Sequence, residues 1–572
     1  MSMLSWYVIA AVCLLSGDVL TSDSELSELS VQLKHGGSLI GTTLKSYSGR
    51  QIRTFLGIPY AKPPVGELRF KSPVPFPPWQ GVRNATEDGS QCFQMGFLNP
   101  LGPPEGSEDC LTLNVYTPPL YRIPKEGLPV MVNIHGGGWL GGSNDHRFFS
   151  PSYILDEDVI LVSINYRVGV LGFLSTETLD CPGNFGLKDQ VEALRWVKEY
   201  ISEFGGNKNS VTIFGASAGG ASVSHLLQSK TANGLFHRAI PQSGNILNPW
   251  SQPLHKGEAP RRTLKLAEML NCSNEEKNWK DIAGCLKNLD ASVLVSKTNS
   301  LTDWNGYPYF IFQPTLEPSH PEAFIDERPR DVDWNSQDIP ILIGMTSGEG
   351  IMSTAALLSS DEILKEVKRD VSNKFPLMLG YDHFDKDKQK DITDELEKFY
   401  LKNGHSYDKN NHKNFTDMFT DSLFLAGFDE YLKKRLSSKA APTYVYIFDM
   451  KVDNSVSQIV GGGDTYYGVA HGDDIQFLFP FYEFFGKKSE LKGNSLVMKN
   501  ALVEMLVNFA SYGNPTPHGS RFEKWEPATK YPWNYVRMGV IDDEGFHVFK
   551  NEENYASDRF DFWRTLQPHV EH

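Results

Sequence analysis

A serine flanked by glycines has the sequence context of an activated nucleophile. Ser217 is the centre of the pentapeptide Gly-Ala-Ser-Ala-Gly at 215–219, which follows a β-type run at 210–214 and precedes a helix-compatible stretch at 220–229. A serine on so sharp a turn has strained backbone angles and crowds the positions two residues away, where only glycine fits. The order of strand, G-x-S-x-G and helix predicts a nucleophile elbow with the serine hydroxyl at the end of a sheet.

Two later residues have the chemistry that such a serine needs. A histidine must take the proton of the hydroxyl, and an acid must orient that histidine. After this type of turn the chain order is nucleophile, acid, histidine. Glu349 lies between glycines in a loop after a predicted strand at 339–344, and His471 ends the glycine-rich loop after a predicted strand at 442–448. We therefore predict that Ser217, Glu349 and His471 form a catalytic triad.

Three consecutive glycines follow another predicted strand, at 128–134. A run of glycines allows the backbone to turn its N–H groups toward a pocket, where they stabilise the negative oxygen of a tetrahedral intermediate. The N–H of the residue after the nucleophile is the usual third donor. We predict an oxyanion hole formed by Gly137, Gly138 and Ala218.

Most of the 15 histidines must be surface or core residues. His135 lies beside the triple glycine and is interpreted as a structural residue under that loop. His225, downstream of Ser217, is interpreted as a packing residue. Each feature is common when taken alone, and only their joint order and context indicate a serine hydrolase.

Strand and helix patterns alternate along the chain, which predicts an α/β fold with a mainly parallel sheet and helices on both faces. Apolar residues recur on one helical face at 187–201, and a second apolar-faced helix at 495–512 is closed by Gly513 and Pro515. Because the predicted site residues are far apart in the chain and must converge, we expect residues 23–572 to form one large α/β-hydrolase domain.

Several segments resemble the type-B carboxylesterases, the cholinesterase-like family, over roughly residues 30–565. The stretch 204–219 matches the serine signature of that family, and 108–118 matches its second signature. Other family-like segments are 55–70, 165–167, 186–190 and 242–244. The resemblance implies the same triad and oxyanion residues, and a serine, Ser243, close to His471. It also implies two structural ion pairs, Arg69–Glu108 and Arg167–Asp189.

Cysteine usage fits an oxidising compartment. The resemblance implies two disulfides, Cys92–Cys110 and Cys272–Cys285. Cys13 would leave with a signal peptide, and Cys181 remains as a buried free thiol or as an intermolecular link.

The chain is most similar in character to secreted insect esterases, among them the juvenile hormone esterases. Arg69-Phe70, Asp189-Gln190, Glu349 and the G-x-x-H-x-x-D pattern around His471 fit that subgroup, whereas Ala216 replaces its usual glutamine. The expected function is a general carboxylesterase acting on xenobiotic, odorant or hormone esters, with juvenile hormone esterase as the alternative. A non-catalytic, neuroligin-like binding protein is a remote alternative, because such relatives typically lose the serine.

Cholinesterases bind a quaternary ammonium on a tryptophan inside the first disulfide loop, through a cation–π contact. The corresponding stretch between Cys92 and Cys110 contains Phe93 and Phe97 but no tryptophan. The expected substrate is therefore a small uncharged ester.

An unbroken apolar run at 6–15 is too short to span a bilayer and is typical of a signal peptide, here predicted at 1–22, with a buried N-terminal strand as the alternative. Sequons at Asn84, Asn271 and Asn414 indicate a secreted, extracellular glycoprotein. The polar C-terminal residues include no hydrophobic stretch for an anchor.

A net charge of −15, from 70 acidic and 55 basic residues, argues against nucleic-acid binding. No nucleotide-binding or zinc-binding motif is found, so we expect no metal and no cofactor. The sequence leaves the oligomeric state open.

Overall fold

The computed structural model describes residues 28–96, 102–251, 256–273, 278–334, 338–401, 412–438 and 441–570. The predicted signal peptide at 1–22 and Phe97 lie outside the described residues. The strands, numbered in chain order, are β1 Ser30–Gln32, β2 Ser38–Ile40, β3 Thr42–Lys45, β4 Gln51–Pro59, β5 Val82–Asn84, β6 Gln94–Met95, β7 Pro104–Glu105, β8 Thr112–Thr117, β9 Leu128–Ile134, β10 Ile160–Ile164, β11 Gly206–Ala216, β12 Arg238–Gln242, β13 Ile341–Thr346, β14 Thr443–Phe448, β15 Asn534–Asp542 and β16 Gly545–Glu553.

The α-helices alternate with the strands in the first half of the chain and cluster between β13 and β14 in the second. They are α1 Gly169–Phe173, α2 Phe185–Tyr200, α3 Ala218–Gln228, α4 Glu258–Met269, α5 Trp279–Asn288, α6 Ala291–Lys297, α7 Ile351–Ser359, α8 Asp361–Arg369, α9 Val371–Leu379, α10 Lys386–Leu401, α11 His412–Thr420, α12 Ala426–Ser437, α13 Val456–Val460, α14 Tyr482–Phe485, α15 Gly493–Tyr512 and α16 Ser557–Val570.

One large sheet has the strand order β3-β4-β8-β10-β9-β11-β12-β13-β14-β15-β16. The strands from β10 to β15 in this order pair in parallel. The strands toward both edges pair antiparallel. Parallel strands all end at the same edge, so the loops that follow β9, β11, β13 and β14 lie side by side.

The side chains of the central strands divide between two hydrophobic cores. In β9, Val130, Val132 and Ile134 join the core that contains α2 and α3, while Met131 joins the core that contains α15. Alternate residues of a strand point to opposite faces of a sheet. Both faces of the sheet are therefore covered by helices. This explains why the sequences of these strands are continuous runs of apolar residues.

Both helices predicted from apolar faces are present, and the second ends at its predicted glycine. The prediction at 187–201 corresponds to α2, and that at 495–512 corresponds to α15. Gly513 closes α15 in the left-handed conformation, with φ 69°, and its N–H donates to the carbonyl of Phe509 at 2.8 Å. Glycine adopts this conformation without a side-chain clash.

Two disulfides are present, Cys92–Cys110 and Cys272–Cys285. Cys181 is fully buried and free, and burial raises the pKa of its thiol to about 12. A thiol in this position is not accessible for a link to another chain.

Both ion pairs implied by the resemblance are formed. Arg69 contacts Glu108 at 2.5 Å, and Arg167 contacts Asp189 at 2.7 Å.

Among the residues that the structure describes, no helix has the length and apolar character needed to cross a bilayer.

Candidate active site

Ser217 occupies the turn between β11 and α3. Its backbone angles are φ 60° and ψ −126°, a strained conformation for a residue with a side chain. The N–H of Ser217 donates to the carbonyl of Gln242 at 2.9 Å, and its own carbonyl accepts from the N–H of Ala221 at 2.9 Å. Ser217 is partly exposed, so its hydroxyl is accessible at the edge of the sheet.

The glycines on either side of Ser217 allow this turn to pack against β9. A Cβ on Gly215 would lie 2.4 Å from the carbonyl oxygen of Ile134 and 2.8 Å from the carbonyl carbon of Gly219. A Cβ on Gly219 would lie 2.1 Å from the same Ile134 oxygen. The contact with β9 is a second reason for glycine, in addition to the crowding within the pentapeptide.

Glu349 and His471 form a buried hydrogen-bonded pair. Nδ1 of His471 lies 2.5 Å from Oε2 of Glu349, while Oε1 of Glu349 accepts the N–H of Thr346 at 2.7 Å. The two loops also meet through a bridge between Gly348 and Ala470. Because a carboxylate accepts the Nδ1 proton, Nε2 of the neutral imidazole has a free lone pair to act as a base.

The negative charges around His471 affect its pKa more strongly than its burial does. Burial lowers the pKa of a histidine, but the charge and hydrogen bond of Glu349, with the charges of Asp474 and Asp473, raise the pKa of His471 above its usual 6.5. Burial raises the pKa of Asp473 to about 7, and burial and the charge of Glu349 raise the pKa of Asp474 to about 6. His471 is thus held among three acidic side chains.

The structure brings Ser217 and His471 to the same edge of the sheet, at the ends of β11 and β14. Within the described residues their side chains form no direct hydrogen bond. In serine enzymes without substrate this hydrogen bond is often long and tightens in the substrate complex. Ser243, predicted beside His471, is buried at the end of β12, where its N–H donates to the carbonyl of Gly344 at 2.8 Å.

The triple glycine lies directly beside the serine. A Cβ on Gly136 would be 3.2 Å from the Cβ of Ser217. Gly137 and Gly138 both have positive φ, 104° and 62°. In the described part of the chain, the N–H groups of these two glycines and of Ala218 donate to no protein acceptor. Three free donors next to an accessible serine hydroxyl are the arrangement that an oxyanion hole requires.

Gln94 holds the glycine loop in place. Its Oε1 accepts the N–H of Gly142 at 2.6 Å, and its Nε2 donates to the carbonyl of Gly142 at 2.9 Å. This residue was not predicted from the sequence. A glutamine two residues after Cys92 has no local signal that would indicate a contact with a loop about 50 residues further along the chain.

The two other histidines considered are structural. His135 is buried and stacks on Tyr166 with the ring centroids 4.2 Å apart. His225 is buried in α3, with Nε2 3.3 Å from the carbonyl oxygen of Ser251. Burial lowers the pKa of each to about 4, so both are neutral at physiological pH.

Aromatic side chains connect the glycine loop to His471. Phe310 would lie 3.0 Å from a Cβ on Gly138 and stacks on Trp250, with centroids 5.4 Å apart. Trp250 packs on Phe424 at 5.6 Å, and Phe424 packs on the His471 ring at 5.1 Å. We call Phe310, Trp250 and Phe424 the aromatic wall. Phe424 lies in a π-helical turn, Asp421–Leu425, inserted between α11 and α12.

The aromatic wall was not predicted from the sequence. Its members come from three separate segments, and each is an ordinary apolar residue in its own segment. Only their packing places them between the glycine loop and His471.

The carboxylesterase family model matches residues 27–563. Juvenile hormone esterase of Tribolium castaneum is 36% identical over 558 residues, covering 92% of both chains. A carboxylic ester hydrolase of Bombus ignitus is 34% identical over 539 residues, covering 93% of both chains. The crystal structure of juvenile hormone esterase from Manduca sexta, with OTFP covalently attached, superposes with a TM-score of 0.81 at 28% identity, covering 95% of this chain and 100% of that one.

These similarities extend over almost the whole chain and agree with the described sheet. They confirm the predicted α/β-hydrolase fold and the resemblance to the carboxylesterases. The protein belongs to the carboxylesterase family and is a carboxylic ester hydrolase.

Proposed function

We propose that the protein hydrolyses uncharged carboxylic esters through an acyl-enzyme formed on Ser217. The proposal rests on one observation: a strained serine, three free N–H donors and a histidine bonded to a buried glutamate lie at the same edge of the sheet. His471 is the base in this proposal, and Glu349 orients it.

In the first half of the reaction, Nε2 of His471 takes the proton of Ser217 as Oγ bonds to the ester carbonyl carbon. The N–H groups of Gly137, Gly138 and Ala218 hold the resulting oxyanion. The intermediate then breaks the bond to the alcohol oxygen, which leaves with the proton from His471. Each lost donor would cost about 2.7–4 kcal/mol of transition-state stabilisation.

In the second half, His471 takes a proton from water as the water oxygen bonds to the acyl carbon. The second oxyanion forms in the same hole, and its collapse breaks the bond to Ser217. The carboxylic acid leaves, and Oγ regains its proton from His471. No cofactor is needed for either half.

The preference for uncharged esters is supported by the aromatic wall. Trp250 is the tryptophan of the wall, but its ring packs against Trp139, Phe310 and Phe424 and is almost fully buried. A cation–π contact needs an open ring face. Apolar contacts with the acyl or alcohol group are the interaction that this wall offers.

Within this class we propose a general carboxylesterase, with juvenile hormone hydrolysis as the second candidate. The second candidate is favoured by the relatives named juvenile hormone esterase in Tribolium castaneum and Manduca sexta. Ala216, in place of the glutamine expected for that subgroup, favours the first. Measuring kcat/KM for the hormone, short-chain acetates and long-chain acyl esters separates the two.

We further propose that residues 23–572 are a secreted, extracellular glycoprotein with one folded domain. The two disulfides support an oxidising compartment, and Asn84 and Asn271 are exposed. Asn414 is half-buried in α11, and Thr416 of its sequon bonds to Thr354 at 2.9 Å. N-terminal sequencing and glycosidase treatment of the protein from culture medium test these assignments.

Labelling with an organophosphate tests the catalytic assignment. We expect a covalent adduct on Ser217 in the unmodified enzyme and no adduct in Ser217→Ala, whose esterase activity should fall to the residual level supported by binding and the oxyanion hole. Ser359→Ala is the control and should still be labelled, because Ser359 is an exposed serine of α7 whose hydroxyl donates to the carbonyl of Ala356. An adduct mapped to any other serine would overturn the assignment.

A further inference from the structure

A buried chain of hydrogen bonds connects the loop of His471 to the turn of Ser217. The hydroxyl of Tyr446 donates to Oδ2 of Asp474 at 3.0 Å and accepts from Nε2 of Gln242 at 3.0 Å. The carbonyl of Gln242 in turn accepts the N–H of Ser217 at 2.9 Å. We call Asp474, Tyr446 and Gln242 the buried relay.

The register of the sheet allows the Tyr446 side chain to reach Gln242. Gln242 of β12 pairs with Gly344 of β13, and Gly344 pairs with Tyr446 of β14. A Cβ at Gly344 would lie 2.2 Å from Cδ1 of the tyrosine ring. The missing side chain in β13 therefore leaves the space through which the ring extends over the intervening strand.

We propose that Tyr446 is a positioning residue that keeps the Ser217 turn and the His471 loop in a fixed relative arrangement. Asp474 lies three residues after His471, so a bond to Asp474 constrains that loop. Ser217 and His471 form no direct hydrogen bond in the described residues, so their alignment depends on such indirect connections. The inference rests on the proposed roles of Ser217 and His471.

The surroundings keep the hydroxyl of Tyr446 protonated as a donor. All three members of the relay are about 1% exposed. Burial and the charge of Asp474 raise the pKa of Tyr446 well above its usual value. The titratable groups around Asp474 include Glu349, His471 and Asp473, in addition to Tyr446 itself. Hydrogen bonds among buried polar groups of this kind are stronger than exposed ones and restrict the geometry of what they join.

Tyr446→Phe removes only the hydroxyl of the relay. We expect kcat to fall about tenfold, since small misplacements of reacting groups are costly, with KM within about twofold. The rate of organophosphate labelling at Ser217 should fall in parallel. Tyr444→Phe is the matched control, because Tyr444 is a buried tyrosine on the same face of β14, packed on Trp525 like Tyr446, and its hydroxyl has no partner in the described residues.

A second variant, Gln242→Met, breaks the relay at its other end. If the relay acts as a unit, the double variant Tyr446→Phe/Gln242→Met should lose no more kcat than the more affected single variant. The proposal would be overturned if the fold-losses in kcat of the two single variants multiply in the double variant. It would also be overturned if Tyr446→Phe has the same kcat and labelling rate as Tyr444→Phe. Labelling at another serine in the unmodified enzyme would instead contradict the proposed function.

Discussion

Glu349 holds His471 through a hydrogen bond of 2.5 Å between Oε2 and Nδ1, and both side chains are buried. The second carboxylate oxygen is occupied by the N–H of Thr346. The carboxylate is thereby fixed on both sides, so the imidazole that it bonds has one orientation and one tautomer. The pH dependence and the effect of mutating Glu349 follow from this pair.

The first prediction concerns the acid limb of the pH profile. His471 must be neutral to accept a proton, and its pKa is raised above 6.5 by Glu349 and its acidic neighbours despite burial. We therefore expect kcat/KM to fall as pH decreases through a value above 6.5. Initial rates between pH 5 and 9 with a neutral ester measure this. A profile that is flat between pH 5 and 8 would contradict the role of His471.

Burial raises the pKa of Asp473 to about 7 and that of Asp474 to about 6, in the same range as His471. Because these groups interact, we expect the fall in kcat/KM on the acid side to involve more than one proton. Glu349→Gln provides the comparison. Removal of the Glu349 charge takes away an interaction that raises the pKa of His471, whereas the burial that lowers this pKa remains. The fall in kcat/KM on the acid side should therefore move to lower pH.

The second prediction concerns the kcat of Glu349→Gln. An amide can stabilise the wrong histidine tautomer and cannot balance the imidazolium charge, so we expect kcat to fall about 10²–10⁴-fold with little change in KM. Steady-state kinetics at the pH optimum of each variant, with thermal unfolding as the control for folding, test this. An unchanged kcat would exclude Glu349 as the orienting acid.

The third prediction concerns the glycine after the nucleophile turn. In Gly219→Ala the new Cβ would overlap the Ile134 carbonyl oxygen, so we expect the free energy of unfolding to drop by about 1–3 kcal/mol and the esterase activity to be largely lost. Gly284→Ala is the matched control, because Gly284 lies in α5 and the added Cβ would meet no atom within 4 Å apart from its chain neighbours and the backbone of its own helix. That change should be neutral or stabilise the protein by up to about 1 kcal/mol.

Chemical denaturation of both glycine variants measures the difference. Equal stabilities of Gly219→Ala and Gly284→Ala would show that the turn moves away from β9 at no cost. The packing of the Ser217 turn described above would then be incorrect.

The fourth prediction concerns substrate charge. With no tryptophan between Cys92 and Cys110, and with the faces of Trp250 covered, a choline ester should have no advantage over its neutral isostere. We expect kcat/KM for the neutral ester to be equal or higher. A tenfold preference for the choline ester, about 1.4 kcal/mol of differential binding, would require a cation site elsewhere in the pocket.

The sequence by itself determined the residues with local signals. Ser217, Glu349, His471 and the triple glycine each follow an apolar strand, and the structure places all four features at one edge of the sheet. This was possible because strand, turn and helix patterns depend on residues a few positions apart. The ends of parallel strands then meet at one edge as a consequence of the fold class.

Only the tertiary structure decided which distant side chains surround these residues of the candidate site. Gln94 reaches the glycine loop, Phe424 reaches His471, and Tyr446 reaches Gln242 across Gly344. None has a sequence pattern that distinguishes it from other buried residues. Their partners are set by strand register and by packing between segments that are tens to hundreds of residues apart, and such contacts form only when the complete chain is folded.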